Sequence, residues 1–218
     1  MKRLYIVVEG QTEAEFTESV LRPYFNSKGI YFVEPVIIHT SKGHKGGFVN
    51  FQHLANDVSK LLKQQINIIV STFVDFFRIP TNIPQYHKCM EMGNVEDKIT
   101  CLETHIAASI NDRRFLPYIQ KHEFEALLFS SNIGFETYFN TAIFEKTQNI
   151  IDTYPNPEDI NNNPQTAPSK RLEMITLKQY DKINDGNTIA LEIGIERIIE
   201  KCPRFRNWIE QLEEMVTK

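Results

Sequence analysis

The chain has 218 residues, of which 41% are hydrophobic, and a formal net charge of −4. This length and composition predict one domain, or a core domain with an appendage, built around a sizeable hydrophobic core. The acidic balance excludes a general electrostatic attraction to nucleic acid, and no apolar run reaches the ~20 residues that a membrane span requires.

The beginning of the chain and the cysteines indicate a cytoplasmic protein without membrane contact. The first residues lack the charged, apolar and small-residue regions of a signal peptide. Three cysteines, Cys89, Cys101 and Cys202, lie far apart and show no C-x-x-C spacing. We therefore expect them to be reduced, buried and without a role in metal binding or redox chemistry.

Strand and helix patterns alternate through the first part of the chain. Strands are predicted at residues 4–8, 30–38 and 66–75, and helices at 12–25 and 51–62. This order implies right-handed crossovers and a largely parallel, Rossmann-like sheet with helices on both faces.

A helix is predicted next at 95–108, then a strand at 114–120 and a helix that opens within 122–129. Beyond residue 132 the apolar spacing predicts helices only, at 135–153, 169–180, 188–202 and 203–216. The predicted organisation is an α/β core over 1–131 and a helical C-terminal extension, 132–218, packed on the core.

Acidic residues follow two of the apolar strands. Glu9 ends the first strand, a glycine turn follows, and Glu13 lies in the first turn of the next helix; Asp75 ends the strand at 66–75. Because parallel strands present their carboxyl ends at one sheet edge, these acids should converge there. Gathered carboxylates repel one another unless a cation such as Mg²⁺ is shared between them, so we predict a metal site.

A second acidic pair, Glu123 and Glu125, flanks Phe124 close to another strand end. Either acid is a candidate metal ligand, or an ordinary partner of a helix dipole. His122 beside them is interpreted as a structural residue rather than a base.

Basic residues occur in two places that suit phosphate binding. Ser169, Lys170 and Arg171 follow Pro168 at a predicted helix start, where a bound anion would offset their charge. Lys42 and Lys45 lie in a glycine-containing loop that could approach a phosphate backbone. A solvated basic face is the alternative for both sets.

The segment Val8-Glu9-Gly10-Gln11-Thr12-Glu13 resembles the E-G-x-[ST]-E signature of the Toprim domain in OLD-family nucleases. More narrowly, the chain resembles the bacterial domain of unknown function 4276 family, which is Toprim-related and often found beside ABC-type ATPases in phage-defence loci. The stretches that carry this resemblance are VVEGQTE, VDFFRIP, PYIQKHEFEALLF, APSKRL and CPRFRNWIEQL.

The resemblance implies a Toprim-like fold and metal-dependent cleavage of DNA or RNA. Glu9, Glu13 and Asp75 would bind Mg²⁺ or Mn²⁺, and Lys170 would neutralise the phosphate. Phe77 occupies the position of the second aspartate of the Toprim D-x-D pair, so Glu123 or Glu125 would have to replace that ligand. An ATPase partner is also implied, and a homo-oligomer is allowed.

Two alternatives remain open at this point. The first is a catalytically degenerate Toprim-like subunit that regulates a partner or binds nucleic acid, for which Phe77 is the main argument. The second is an enzyme that binds a nucleotide or a small phosphate at the strand–glycine–helix start. Glu9 argues against the second, since an acid there repels phosphate unless a metal intervenes.

Overall fold

The computed structural model describes residues 2–41, 44–64, 66–160, 163 and 165–218, with only the backbone described at 41, 44 and 45. Its centre is a parallel sheet in which the strand order is β2-β1-β5-β6, with β7 also pairing with β5. The strands are β1 (Arg3–Val8), β2 (Val33–Ile37), β3 (His39–Ser41), β4 (His44–Lys45), β5 (Ile68–Asp75), β6 (Phe115–Leu116) and β7 (Ile119–Gln120). Strands β3 and β4 form a separate antiparallel pair.

Helices surround this sheet. They are α1 (Gln11–Phe16), α2 (Arg22–Ser27), α3 (Phe51–Gln64), α4 (Tyr86–Met90), α5 (Val95–Ile110), α6 (Ile133–Tyr138), α7 (Thr141–Thr153), α8 (Pro168–Ile175), α9 (Asn184–Ile193), α10 (Ile195–Lys201) and α11 (Pro203–Thr217). A π-helical turn, Thr17–Leu21, joins α1 to α2, and 3₁₀ helices occupy Phe124–Ser130 and Pro157–Asp159. The predicted α/β fold with a parallel sheet flanked by helices is confirmed.

Hydrophobic clusters cover both faces of the sheet, as a parallel sheet requires. Along β1, Leu4, Ile6 and Val8 belong to one cluster, whereas Val7 belongs to the other. This alternation follows from the two-residue period of a strand. All eight residues of β5 are buried, so Asp75 ends a central strand as predicted.

The helices after residue 132 share the first of these clusters with the sheet. Trp208 of α11 stacks on Tyr118 with ring centroids 4.4 Å apart, and its indole N–H donates to Ser71 Oγ of β5 at 2.8 Å. Phe205, one turn earlier, is also fully buried. These contacts place both residues in the core, while the division at residue 131 stays a prediction.

Several predicted elements are interrupted in the structure. The helix predicted at 135–153 breaks at Asn140, whose side chain accepts a hydrogen bond from the N–H of Ile143 and begins a new helix. The helix predicted at 188–202 breaks at Gly194, which has a φ of 78°. The predicted strand at 114–120 is divided into β6 and β7 by Pro117, which has no N–H for a strand ladder.

The prediction of three reduced cysteines is wrong for two of them. Helix α4 packs against α5, and this brings Cys89 and Cys101 to a Cα–Cα distance of 5.4 Å, at which they form a disulfide. Sequence spacing gave no sign of the pair because the two residues lie 12 positions apart on different helices. Cys202 is free and buried.

Within the described residues, no helix combines the length and the apolar character needed to cross a membrane.

Glu158 anchors the start of α11 to the rest of the fold. Its carboxylate accepts hydrogen bonds from the backbone N–H groups of Arg204 at 2.8 Å and Phe205 at 3.0 Å, and the residue is 1% exposed. Burial raises the pKa of Glu158 to about 7, although the two N–H donors oppose this rise. The native protein therefore binds this proton more tightly than the unfolded chain does.

We predict that protonation of Glu158 increases the free energy of unfolding and that this contribution is lost as the pH rises. A folded-state pKa of about 7, against 4.5 unfolded, makes the native state less stable as pH increases between these values. From pH 5 to pH 8 the loss should be roughly 2–3 kcal/mol. Urea unfolding should show this loss in the wild type relative to Glu158→Gln. Glu145→Gln, at an exposed acid, is the control, and an equal pH response in wild type and Glu158→Gln would contradict the prediction.

Candidate functional site

The carboxyl ends of β1 and β5 place two acids side by side. The strands pair in parallel up to Val8 and Phe73, Glu9 follows β1 directly, and Asp75 is the last residue of β5. The backbone N–H of Asp75 lies 3.4 Å from Glu9 Oε2 and donates to it. The convergence predicted for these two acids is therefore present in the fold.

Glu13 joins this edge from the first turn of α1. The helix begins at Gln11, one residue earlier than predicted, so Gly10 is the capping residue and its N–H donates to Glu13 Oε2 at 2.9 Å. The cap of this helix therefore involves Glu13, whereas Glu15 is exposed. Only Oε2 of Glu13 accepts this capping hydrogen bond, so Oε1 can face the other acids at this edge of the sheet.

Glu125 is the fourth acid, supplied by the 3₁₀ helix that follows β7. The backbone N–H of its neighbour Phe124 donates to Asp75 Oδ1 at 2.9 Å, which ties this helix to the end of β5. Glu125 is completely buried, and neither of its carboxylate oxygens accepts a hydrogen bond from the described residues.

Lys182 supplies a positive charge in contact with three of the four acids. Its ammonium nitrogen lies 3.4 Å from Glu125 Oε2, 3.7 Å from Asp75 Oδ2 and 3.8 Å from Glu13 Oε1. The residue comes from the loop between α8 and α9, more than 100 positions after Asp75 in the sequence. We call Glu9, Glu13, Asp75 and Glu125, together with Lys182, the acidic cluster.

The loop that carries Lys182 is fixed by buried polar side chains. Tyr180 packs so closely against α9 that a Cβ atom at Gly186 would lie 2.8 Å from its hydroxyl oxygen. Asn187 of α9 donates through Nδ2 to the carbonyls of Ile183 at 3.0 Å and of Thr12 at 3.2 Å, which connects the loop to α1. The position of Lys182 thus depends on contacts between α9 and the start of α1.

Burial and mutual repulsion change the proton affinities of these groups. Burial raises the pKa of Asp75 well above its ordinary value, against the attraction of Lys182, and raises that of Glu9, to which Glu13 adds. Burial likewise raises the pKa of Glu125 to about 7. Burial lowers the pKa of Lys182, but the surrounding acids outweigh this effect and raise it above its usual range, so the ammonium stays charged at neutral pH.

The acidic cluster fits a hard divalent cation by the chemistry of its donors. Carboxylate oxygens are the ligands that Mg²⁺ and Mn²⁺ prefer, and the buried oxygens of Glu125 accept no hydrogen bond from the described residues, with Lys182 as an ion-pair partner. In the described residues, however, no three of these acids have oxygen atoms within 4.8 Å of one another. The oxygens are arranged around the Lys182 ammonium, which occupies the position of a cation.

The other predicted site residues lie apart from the acidic cluster or are paired differently. Glu123 accepts from the N–H of Ser169 at 3.0 Å and from its hydroxyl at 3.1 Å, so the chain's own carboxylate binds the start of α8. Lys170 pairs with Glu173 at 2.7 Å, and Arg171 donates to the carbonyl of Thr166 at 2.8 Å. A role for these residues with a substrate stays a prediction.

Lys42 lies outside the described residues, and only the backbone of Lys45, in β4, is described. The backbone after β4 does reach the cluster, because the N–H of Gly47 donates to the carbonyl of Glu9 at 2.8 Å.

His122 is buried, and burial lowers its pKa to about 4, which agrees with the structural role predicted for it.

Sequence reasoning did not identify Lys182. It lies in an irregular loop, where no periodicity marks a side chain as inward-facing, and its neighbours Asp181 and Asp185 give the segment a solvent-exposed character. One available signal was chemical, because converging carboxylates require a positive counter-charge. Lys170 was the residue predicted to carry positive charge at the site, but the structure pairs it with Glu173.

Comparison with solved structures supports the fold. The C-terminal region of the Xanthomonas campestris pv. campestris OLD protein, in a platinum-phased structure, is 14% identical, with a TM-score of 0.50 over 99% of this chain and 94% of that chain. A mercury-phased structure of the same region is 13% identical with a TM-score of 0.48, covering 100% of this chain and 97% of the other.

No curated protein matches the sequence. The model of one protein family, described as a domain of unknown function (DUF4276), matches residues 8–213, which include every member of the acidic cluster. The chain therefore belongs to the DUF4276 family.

Proposed function

We propose that the protein is a Toprim-type nuclease that hydrolyses phosphodiester bonds in DNA or RNA with Mg²⁺ or Mn²⁺. The observation that carries the proposal is the acidic cluster: acids from two adjacent strand ends, a helix start and a 3₁₀ helix converge beside one position for positive charge. The resemblance of residues 8–13 to the OLD-type Toprim signature gives this arrangement its reaction class. Fold similarity alone would not do so.

In this proposal Glu9, Glu13 and Asp75 hold the metal ion, and Glu125 completes the donor set. A bound divalent ion would activate water and offset the charge that develops on the phosphate. The hydrogen bonds from Gly10 to Glu13 and from Phe124 to Asp75 orient two of these carboxylates before any ligand arrives. Such fixed orientation lowers the reorganisation needed during reaction.

Lys182 has the role that the resemblance gave to Lys170. Its ammonium contacts three of the acids, whereas Lys170 is paired with Glu173 at the surface. On metal binding, Lys182 would exchange its carboxylate contacts for the substrate phosphate.

Substrate binding would depend on local basic groups, since the chain as a whole is acidic. Lys45 is one candidate, because the N–H of Gly47, two residues later, donates to the carbonyl of Glu9. Lys42 is a candidate from the sequence. Ser169, Lys170 and Arg171 would make contacts further from the cluster. An ATPase partner, a role in phage defence and self-association belong to the proposal through the family resemblance.

The second candidate function is a regulatory or nucleic-acid-binding subunit that has lost catalysis. Phe77 favours it, because a phenylalanine side chain cannot bind Mg²⁺ where the Toprim pattern has its second aspartate, and its ring contacts Arg78 instead. Lys182 also favours it, since an ammonium already occupies the cationic position. A direct measurement of cleavage separates the two functions.

We predict that Glu13→Gln abolishes metal-dependent cleavage and that Glu15→Gln does not. Both acids lie on α1 and lose the same charge, but Glu13 is 3% exposed within the cluster whereas Glu15 points to solvent. Glu9→Gln and Asp75→Asn should abolish cleavage as well. The assay is Mn²⁺- and Mg²⁺-dependent degradation of labelled single- and double-stranded DNA and RNA, with losses of ~10²-fold or more expected for an electrostatic catalytic group.

Cleavage that persists unchanged in Glu9→Gln and Asp75→Asn would identify a contaminating nuclease. A folded wild type that cleaves no substrate and gains no stability from either metal would establish the regulatory candidate, because a ligand that binds the native state must stabilise it.

Lys182→Met is predicted to separate metal binding from catalysis. Loss of the ammonium removes its competition for the carboxylates, so Mn²⁺ affinity should rise by on the order of 10-fold, equivalent to ~1.4 kcal/mol. Cleavage should nevertheless fall by ~10²-fold because the phosphate loses its positive partner. Mn²⁺ titration followed by thermal denaturation measures the first effect, and the nuclease assay measures the second.

Lys170→Met serves as the matched control, since it removes the same charge from a surface pair. If Lys170→Met lost cleavage and Lys182→Met kept it, the roles assigned to the two lysines would be reversed.

A further inference from the structure

A group of sulfur and nitrogen donors lies where α4 meets α5, away from the acidic cluster. Cys89 comes from α4, and Cys101 and His105 come from successive turns of α5, an i,i+4 spacing that puts them on one face. One donor atom from each residue lies within 4.8 Å of the other two. In the described part of the chain, no other three His, Cys, Asp or Glu side chains bring their donor atoms this close together.

The chemistry of this group differs from that of the carboxylates. Thiolate sulfur and imidazole nitrogen are the ligands that Zn²⁺ prefers, whereas Mg²⁺ prefers oxygen. His105 makes no hydrogen bond or ion pair with the described residues, so its ring nitrogens are available. Cys89 is fully buried, while Cys101 and His105 are partly exposed, which leaves one side of the group open to water.

We propose that the reduced protein binds one Zn²⁺ through Cys89, Cys101 and His105, with water as the fourth ligand. The disulfide and the metal are mutually exclusive states of the same two sulfurs. A disulfide holds its sulfurs ~2 Å apart, while two thiolates at ~2.3 Å from a tetrahedral zinc lie ~3.8 Å apart. Metal binding therefore requires reduction first.

The chemical balance of the exchange is simple. A dithiol reductant transfers two electrons and two protons to the Cys89–Cys101 bond, giving two thiols and the cyclic disulfide of the reductant. Zn²⁺ then displaces both thiol protons and binds the two thiolates and a neutral His105. Either state links α4 to α5, by a covalent bond when oxidised and by the metal when reduced.

The consequence is a connection between α4 and α5 that survives a change in redox conditions. Cys89 belongs to the hydrophobic cluster formed by α3, α5 and one face of β5. A free, reduced pair would leave α4, a helix of five residues, attached by packing alone. Zinc restores a cross-link there, and this gives the proposed site a structural function that does not depend on nuclease activity.

The test uses Co²⁺ as a spectroscopic substitute for Zn²⁺ on the full chain. Protein is reduced with dithiothreitol, freed of reductant without oxygen, and titrated with Co²⁺ in excess Mg²⁺ so that the carboxylates are occupied. One equivalent of Co²⁺ should produce thiolate-to-cobalt charge-transfer absorption and tetrahedral d–d bands, and Zn²⁺ should displace it. The oxidised protein should show neither signal.

Variants identify the ligands. Cys101→Ser should abolish the charge-transfer signal, and His105→Gln should weaken Co²⁺ binding by at least 10-fold. His87→Gln, at an exposed histidine of α4, is the matched control and should bind as the wild type does. Circular dichroism verifies that each variant is folded. Cys202 gives no background, because it is buried against Ser130 on the other side of the fold.

Two results would overturn the proposal. One is a reduced wild type that binds no Co²⁺ with thiolate character. The other is a His105→Gln protein that binds Co²⁺ as tightly as the His87→Gln protein, since the histidine would then not be a ligand. Neither result bears on the acidic cluster, whose metal is tested separately through Glu13 and Asp75.

Discussion

Repulsion among four carboxyl groups, three of them buried and that of Glu9 half-buried, is the constraint around which this structure is organised. Parallel strands inevitably present their ends at one sheet edge, and here Glu9 and Asp75 end two adjacent strands. Burial disfavours the ionised form of these groups and raises the pKa of both Glu9 and Asp75, so their ionised forms need a counter-charge. Lys182 provides that charge, and the loop that carries it is fixed by Tyr180 against Gly186. The acids and the loop therefore depend on each other.

This dependence makes the helical part of the chain integral to the site. The predicted boundary at residue 131 separates the strands from the helices, but Lys182 and the Asn187 that supports its loop lie beyond it. Trp208 also lies beyond it and completes the packing of β5 through its bond to Ser71. An α/β core without residues 132–218 would lose both the counter-charge of the acids and one wall of its hydrophobic cluster.

The sequence predicted those features that depend on local chemistry. An apolar strand that ends in an acid identifies both Glu9 and Asp75, because burial of an acid at such a place needs a compensating partner. The sequence did not distinguish Glu123, which contacts Ser169, from Glu125, which contacts Lys182. The 3₁₀ helix that begins between them has no periodicity that can be recognised in the sequence. Lys182 and the Cys89–Cys101 pair were missed for a common reason: both depend on how distant segments pack, which spacing along the chain does not encode.

The charge balance of the acidic cluster also bears on the number of metal ions. Four ionised acids and Lys182 leave three uncompensated negative charges, and one divalent ion would leave a single one. In the metal-free protein, burial raises the pKa of Glu125 to about 7, so a proton on this residue reduces the negative charge near neutral pH. A second ion would add charge without a ligand to receive it, because Phe77 stands where the Toprim pattern has its second aspartate. If the proposed function holds, Phe77 removes one carboxylate of the Toprim pattern and Lys182 adds one positive charge. Both differences favour one metal ion over two.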